Sequence, residues 1–127
     1  MYERTPDYLN KMIELCQDIA LFIEGIPHDE FMRDKRTQNA VAMSLIALGE
    51  IANTIYQKDP EFIENNAQIL WKYMRGMRNI IAHGYFELDF NIIYQTAERS
   101  IPELLKQLKD ITKQQEWPWP QITKPKP

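Results

Sequence analysis

The chain is predicted to be all-α, a four-to-five-helix up-and-down bundle, and three observations carry that prediction. Glycine is scarce, with four residues in 127. Apolar residues recur at spacings of three and four almost throughout, the rhythm of helices that each bury one stripe. No segment alternates apolar and polar residues as a half-buried strand does. The length suits one domain, with a helical body over residues 1–114 and a separate Pro/Trp-rich tail over 115–127.

The elements follow in order. Thr5 before Pro6 reads as an N-cap and a first helical position. Leu9, Met12, Ile13, Cys16, Ile19, Ala20 and Ile23 then form one buried stripe, which Gly25 and Pro27 end. A link through His28, Asp29 and Glu30 leads to a second helix from about Lys35 to Gln57. Its middle, Ala40 to Ala52, is apolar on most sides, so it is expected to be central. Asp59-Pro60 breaks the chain, and a short turn through Phe62 precedes a third helix from about Ala67 to His83. Gly84 is expected to close that helix as a left-handed cap. Asp89 suits the cap of a fourth helix, which Pro102 is expected to kink, or whose true start it marks. The segment Trp117-Pro118-Trp119-Pro120 cannot be helical and reads as extended, polyproline-like chain.

Composition narrows the function classes. One cysteine, Cys16, cannot form an internal disulfide, and it lies on the apolar stripe, as core. The charged N-terminus lacks the apolar block of a signal peptide, and no apolar run is long enough to span a bilayer. A soluble, cytoplasmic protein with no membrane partner is expected. The formal net charge of −3 argues mildly against nucleic acid as a partner, so any such reading must come from local charge.

Local charge concentrates on the third helix. At about 100° per residue, Leu70, Tyr73, Met74, Met77, Ile80 and Ile81 gather on one arc and are expected to face the core. The opposite arc holds Lys72, Arg75, Arg78, Asn79 and His83, with the small residues Gly76 and Ala82 between them. No Asp or Glu occurs between Glu64 and Glu87. A purely basic helix face in an acidic chain is a candidate anion site, and Gly76 would permit close approach by another helix or a phosphate backbone. Arg78 and His83 lie about 140° apart on an ideal wheel. Sharing one site would require unwinding at Gly84 or a second copy of the helix. Plainer roles stand beside these. Arg78 can pair with a carboxylate elsewhere, His83 can answer the helix C-terminal dipole, Tyr85 can pack over the helix end, and Glu50 can serve a structural hydrogen bond.

The run Arg78-Asn79-Ile80-Ile81-Ala82-His83-Gly84-Tyr85 resembles the Arg-x4-His-x-Tyr motif of HepT-like proteins in the HEPN superfamily. The likeness extends through Ala40-Val41, Leu48-Gly49-Glu50-Ile51-Ala52, Trp71 and Met74-Arg75, and leaves the Trp-Pro tail unaccounted for. The resemblance implies a HEPN-like bundle and a homodimeric, RNA-cleaving toxin. Its antitoxin would be an MntA-like minimal nucleotidyltransferase. By position, the family's nuclease pair falls on Arg78 and His83, with Asn79 at the polar position after the Arg. The AMP-accepting tyrosine falls on Tyr85.

Elementary chemistry agrees with that assignment. The 2′-OH of RNA can attack its own phosphate without metal, provided that protons are moved and phosphorane charge is stabilised. Histidine is the natural proton carrier near neutral pH, and arginine binds phosphate with two hydrogen bonds at once. Arg75 and Lys72 are placed to hold further phosphates. No cofactor and no metal are expected. An alternative keeps the phosphate grip without cleavage, as a non-catalytic HEPN subunit that binds a nucleotide or supports a partner nucleotidyltransferase. A purely structural interaction module is a third reading.

Overall fold

The computed structural model describes residues 2–114, and no strand occurs among them. The Trp-Pro tail lies outside the described residues. Helix α1 spans Thr5–Ile23, α2 His28–Phe31, α3 Lys35–Lys58, α4 Pro60–Asn65 and α5 Trp71–Gly84. A 3-10 turn over Tyr85–Glu87 leads to α6, Phe90–Gln95. A π turn over Thr96–Ser100 then joins α6 to α7, Ile101–Gln114.

Helix α1 begins one residue earlier than the capping rule predicts. Arg4 is the N-cap, without a side-chain bond, and Thr5 is already helical. The Thr5 hydroxyl is buried and donates instead to Asp59 Oδ2 at 2.7 Å. The same oxygen accepts from the Tyr2 amide at 3.0 Å, and Asp59 Oδ1 accepts from the Phe62 amide. One carboxylate therefore ties the N-terminus to the end of α3 and the start of α4. Its capping bond, with Pro60 at the first helical position, makes a helix of the segment expected to be only a turn through Phe62. Gly25 takes the left-handed φ of 73° that ends α1, and the expected link at His28 is itself the short helix α2.

Helix α3 matches its expected bounds to within a residue, and Asp34 caps it by accepting from the Thr37 amide and hydroxyl. It packs against α1 on one side and α5 on the other, while α7 closes against α1. That makes α3 central, as its apolar middle predicts. Leu9, Met12 and Ile19 of α1 meet Val41, Leu48 and Ile55 of α3 and Leu108 of α7 in one fully buried core. Cys16 lies in that core, and burial pushes its thiol up to about 12.

Pro102 is the second residue of α7, so it marks the start of the last helix to within one residue. It has no amide to donate and its ring would strike the Glu98 carbonyl in a regular helix. The π turn just before it, closed by the Ile101 amide on Thr96 O, widens the backbone and absorbs the misfit. Asp89 caps α6 by accepting from the Asn91 amide at 2.9 Å, as predicted.

Helix α5 departs most from expectation. It starts at Trp71 rather than Ala67, because Asn66 turns the chain: its carbonyl accepts from the Trp71 indole at 3.0 Å and its amide side chain donates to Phe62 O. Its buried stripe is Trp71, Met74, Met77 and Ile81. Leu70, Tyr73 and Ile80, expected in the core, are 66%, 43% and 62% exposed. Leu70 and Tyr73 flank an open apolar groove between α5 and α7, floored by Leu45, Leu48, Met74 and Leu104.

Candidate active site

The site is built where α5 crosses α3. At Gly49 the two helices come closer than side chains normally allow. A Cβ there would lie 2.2 Å from Arg78 Cβ and 2.7 Å from the Met74 carbonyl oxygen. The close approach expected of Gly76 belongs to Gly49 within the chain, since nothing lies within 4 Å of a Cβ built at Gly76. The stem of Arg78 is thus laid across the backbone of α3.

The next residue on α3 completes the arrangement. Glu50 forms an ion pair with Arg78 Nε, and Arg78 Nη1 donates to Asn79 Oδ1 at 3.0 Å. Two of the three guanidinium nitrogens are held by acceptors, while Nη2 has no partner among the described residues. The side chain keeps 33% of its surface exposed. The basic face of α5 is therefore not unopposed, as the local run of residues suggests, because its acid comes from 28 positions away.

Arg75 is held differently. Its guanidinium lies over the Tyr56 ring, 4.2 Å from the centroid, and forms no ion pair among the described residues. Lys72 is exposed on the same helix. From sequence, Glu50 is a candidate to join the site but fits a structural hydrogen bond better, and Tyr56 is not singled out. Both lie on α3 where it faces α5, and no rule of local spacing marks them.

His83 is exposed in the last turn of α5 and makes no hydrogen bond or ion pair among the described residues. The chain joins Arg78 to Asn79 and Glu50, and does not join it to His83. Gly84 does not turn the chain as expected. Its φ is −137°, and Gly25 is the one left-handed glycine among the described residues. The backbone instead tightens into the 3-10 turn. Tyr85 is half-buried against the core, edge-on to Phe86 and Phe90 with centroids 5.9 and 6.2 Å away. Phe86 itself is fully exposed.

The other histidine, His28, belongs to a different cluster. Its Nε2 bonds Asn91 Oδ1 and its Nδ1 faces Asp29 Oδ1 at 3.3 Å. The Asn91 bond, aided by Asp29, raises its pKa above the ordinary 6.5. Among the described residues no group of three or more His, Cys, Asp or Glu is placed to hold a metal ion. No helix among them is long and apolar enough to cross a membrane.

The model of the family described as Ribonuclease HepT-like matches residues 12–111, which include the whole α3–α5 crossing. The chain belongs to the HepT-like ribonuclease family. A Caldanaerobacter subterraneus protein named "Putative RNase" is 33% identical over 109 residues, covering 85% of this chain and 95% of its own. A Thermococcus cleftensis protein named "Probable ribonuclease HepT" is 31% identical over 113 residues, covering 89% of this chain and all of its own. A Methanocaldococcus jannaschii protein, also named "Putative RNase", is 32% identical over 106 residues, covering 84% and 85%. No solved structure matches the chain at a significant level. Membership in the HepT-like family makes the protein a ribonuclease, and its all-helical fold is the one expected of a HEPN domain.

Proposed function

We propose that this HepT-like protein is a metal-independent endoribonuclease toxin that acts as a homodimer and is silenced by AMP transfer to Tyr85. One observation carries the proposal: the exposed guanidinium of Arg78, oriented by Glu50 and Asn79, stands in the same motif as the exposed imidazole of His83. In this reading the free Nη2 edge of Arg78 binds the scissile phosphate and stabilises its developing charge. Asn79 holds the guanidinium in register, and His83 transfers the proton.

The dimer completes the site. Arg78 and His83 are unjoined within one chain, so the partner of each is supplied by the twofold copy. Each chain has a single histidine on α5, and a twofold axis brings two to one cleft, one to accept a proton and one to donate it. Support for such a dimer comes from Tyr73 and Ile80, exposed apolar residues on the helix that bears the motif, and from Leu70 just before it. Arg75 and Lys72 hold flanking phosphates. The partner that modifies Tyr85 is a nucleotidyltransferase, and AMP there adds a negative phosphodiester beside the basic residues of α5.

The deciding experiment is an RNA cleavage assay in excess EDTA. Wild type is expected to cleave, and His83→Ala to lose at least ~100-fold of that activity while melting like wild type. Undiminished cleavage by His83→Ala would refute the role of His83. Inhibition by EDTA that magnesium reverses would identify a metal enzyme instead.

A further inference from the structure

Among the described residues, the α3–α5 seam holds two arginines fixed in different ways. Arg78 is oriented by a carboxylate, with which it forms an ion pair. Arg75 is oriented by an aromatic ring and keeps its whole charge. The two helices run antiparallel here, since Gly49 meets Arg78 and Tyr56, further along α3, meets Arg75. The two arginines are three positions apart on one helix, less than one turn of ~5.4 Å.

A guanidinium seated over a tyrosine ring, 4.2 Å from its centroid, turns one side to the ring and leaves the opposite, open face to a second planar group. The open face is a stacking surface for a nucleobase, and the edge still carries N–H donors for a phosphate oxygen. Tyr56 is 38% exposed and Arg75 is half-buried, so the pair is fixed in place but reachable from solvent. Such an arrangement suits single-stranded RNA, whose bases are free to stack, and not a duplex, whose bases already stack on one another.

We infer that Tyr56 and Arg75 form a nucleotide-holding platform, a subsite that stacks one base of single-stranded RNA beside the phosphate bound at Arg78. This deepens the ribonuclease reading and rests on it for the position of the cleaved bond. The platform itself is a binding site that works without cleavage. Tyr56 acts by holding the guanidinium in place, and Arg75 by touching both base and phosphate. Because any base has a π face, the subsite selects unpaired RNA without selecting its sequence.

The test uses the full chain and a short single-stranded RNA with 2′-O-methyl sugars, which cannot be cleaved by its own 2′-oxygen. A 2-aminopurine base reports stacking by loss of fluorescence, and anisotropy reports affinity. Tyr56→Leu is expected to weaken binding by about tenfold and to abolish most of the quenching. Tyr56→Phe keeps the ring and is expected to stay within roughly twofold of wild type. Arg75→Lys keeps the charge but not the plane, so it should lose quenching while keeping the salt dependence of binding. Wild-type affinity and quenching in Tyr56→Leu would overturn the platform. So would equal losses in Tyr56→Phe and Tyr56→Leu, which would assign the effect to the hydroxyl. If Tyr56→Leu fails to fold by circular dichroism, Arg75→Lys decides: lost quenching with retained salt dependence supports the platform, and wild-type quenching removes it. Wild type that quenches the probe but cleaves no RNA would refute the nuclease reading and leave the platform standing. Wild type that cleaves RNA, with Tyr56→Leu binding undiminished, would do the reverse.

Discussion

Glu50 on α3 grips Arg78 on α5, so the arginine that carries the family motif is oriented by a residue outside it. The pair is partly exposed, and such pairs contribute little to stability, roughly 1 kcal/mol or less. Its worth lies in direction. Glu50→Ala is expected to lower kcat/KM for RNA by about tenfold while leaving the melting temperature nearly unchanged. Glu50→Gln, which retains an acceptor for Nε, should recover part of the loss. A melting temperature that falls in step with activity would show that the pair holds the fold rather than the guanidinium.

The exposed apolar residues on α5 give a second prediction. Ile80 is 62% exposed, so Ile80→Asp removes no core packing and should leave the monomer folded. Placed in an apolar interface, the carboxylate is strongly unfavourable. Light scattering is expected to show a dimer for wild type and a monomer for Ile80→Asp, with cleavage lost alongside. A fully active monomeric variant would place the whole site within one chain.

Tyr85 poses a sharper question once its packing is known. Its ring is half-buried among Phe86, Phe90 and the core, so a modifying enzyme must reach the phenol at the end of a packed side chain. Tyr85→Phe preserves those ring contacts. It is expected to keep most of the cleavage activity and to escape inactivation on co-expression with the proposed nucleotidyltransferase partner, which intact-mass measurement will show. A mass gain of one AMP on Tyr85→Phe would move the acceptor elsewhere.

Cys16 supplies a pH prediction. Burial raises the thiol from 9.0 to about 12, so the folded chain keeps it protonated. Because the folded pKa is the higher one, the stabilisation is complete below about pH 9 and is lost as pH rises toward 12. Alkylation at pH 8 is therefore expected to be slow in the native protein and fast in denaturant. Rapid native labelling would mean that α1 opens readily.

Periodicity reveals most of this fold and little of its site. The stripes of α1 and α3 are legible because each repeats over many turns, and α3 ends where Asp59-Pro60 says it must. On α5 the wheel finds the apolar arc but not which part of it meets α3. The arc spans both Ile81, buried, and Ile80, exposed. Gly84 looks like a left-handed cap, yet its φ is −137° and the chain continues through a helical Tyr85 into a 3-10 turn. Arg78, Asn79, His83 and Tyr85 can be named from spacing and resemblance. Glu50 can be named but not paired, and Tyr56 not named at all, since their partners lie across a helix crossing that only tertiary packing creates.

Gly49 has one more consequence. An interior helical glycine forgoes about 1 kcal/mol relative to alanine, so alanine would be the easy stabilising replacement anywhere else on α3. Here its methyl group would meet the stem of Arg78 and the Met74 carbonyl and push the two helices apart. Mutational drift toward a better helix and preservation of the arginine's aim pull against each other at this position. Of the routes by which such a protein could lose activity while keeping its shape, a single methyl group at residue 49 is the shortest.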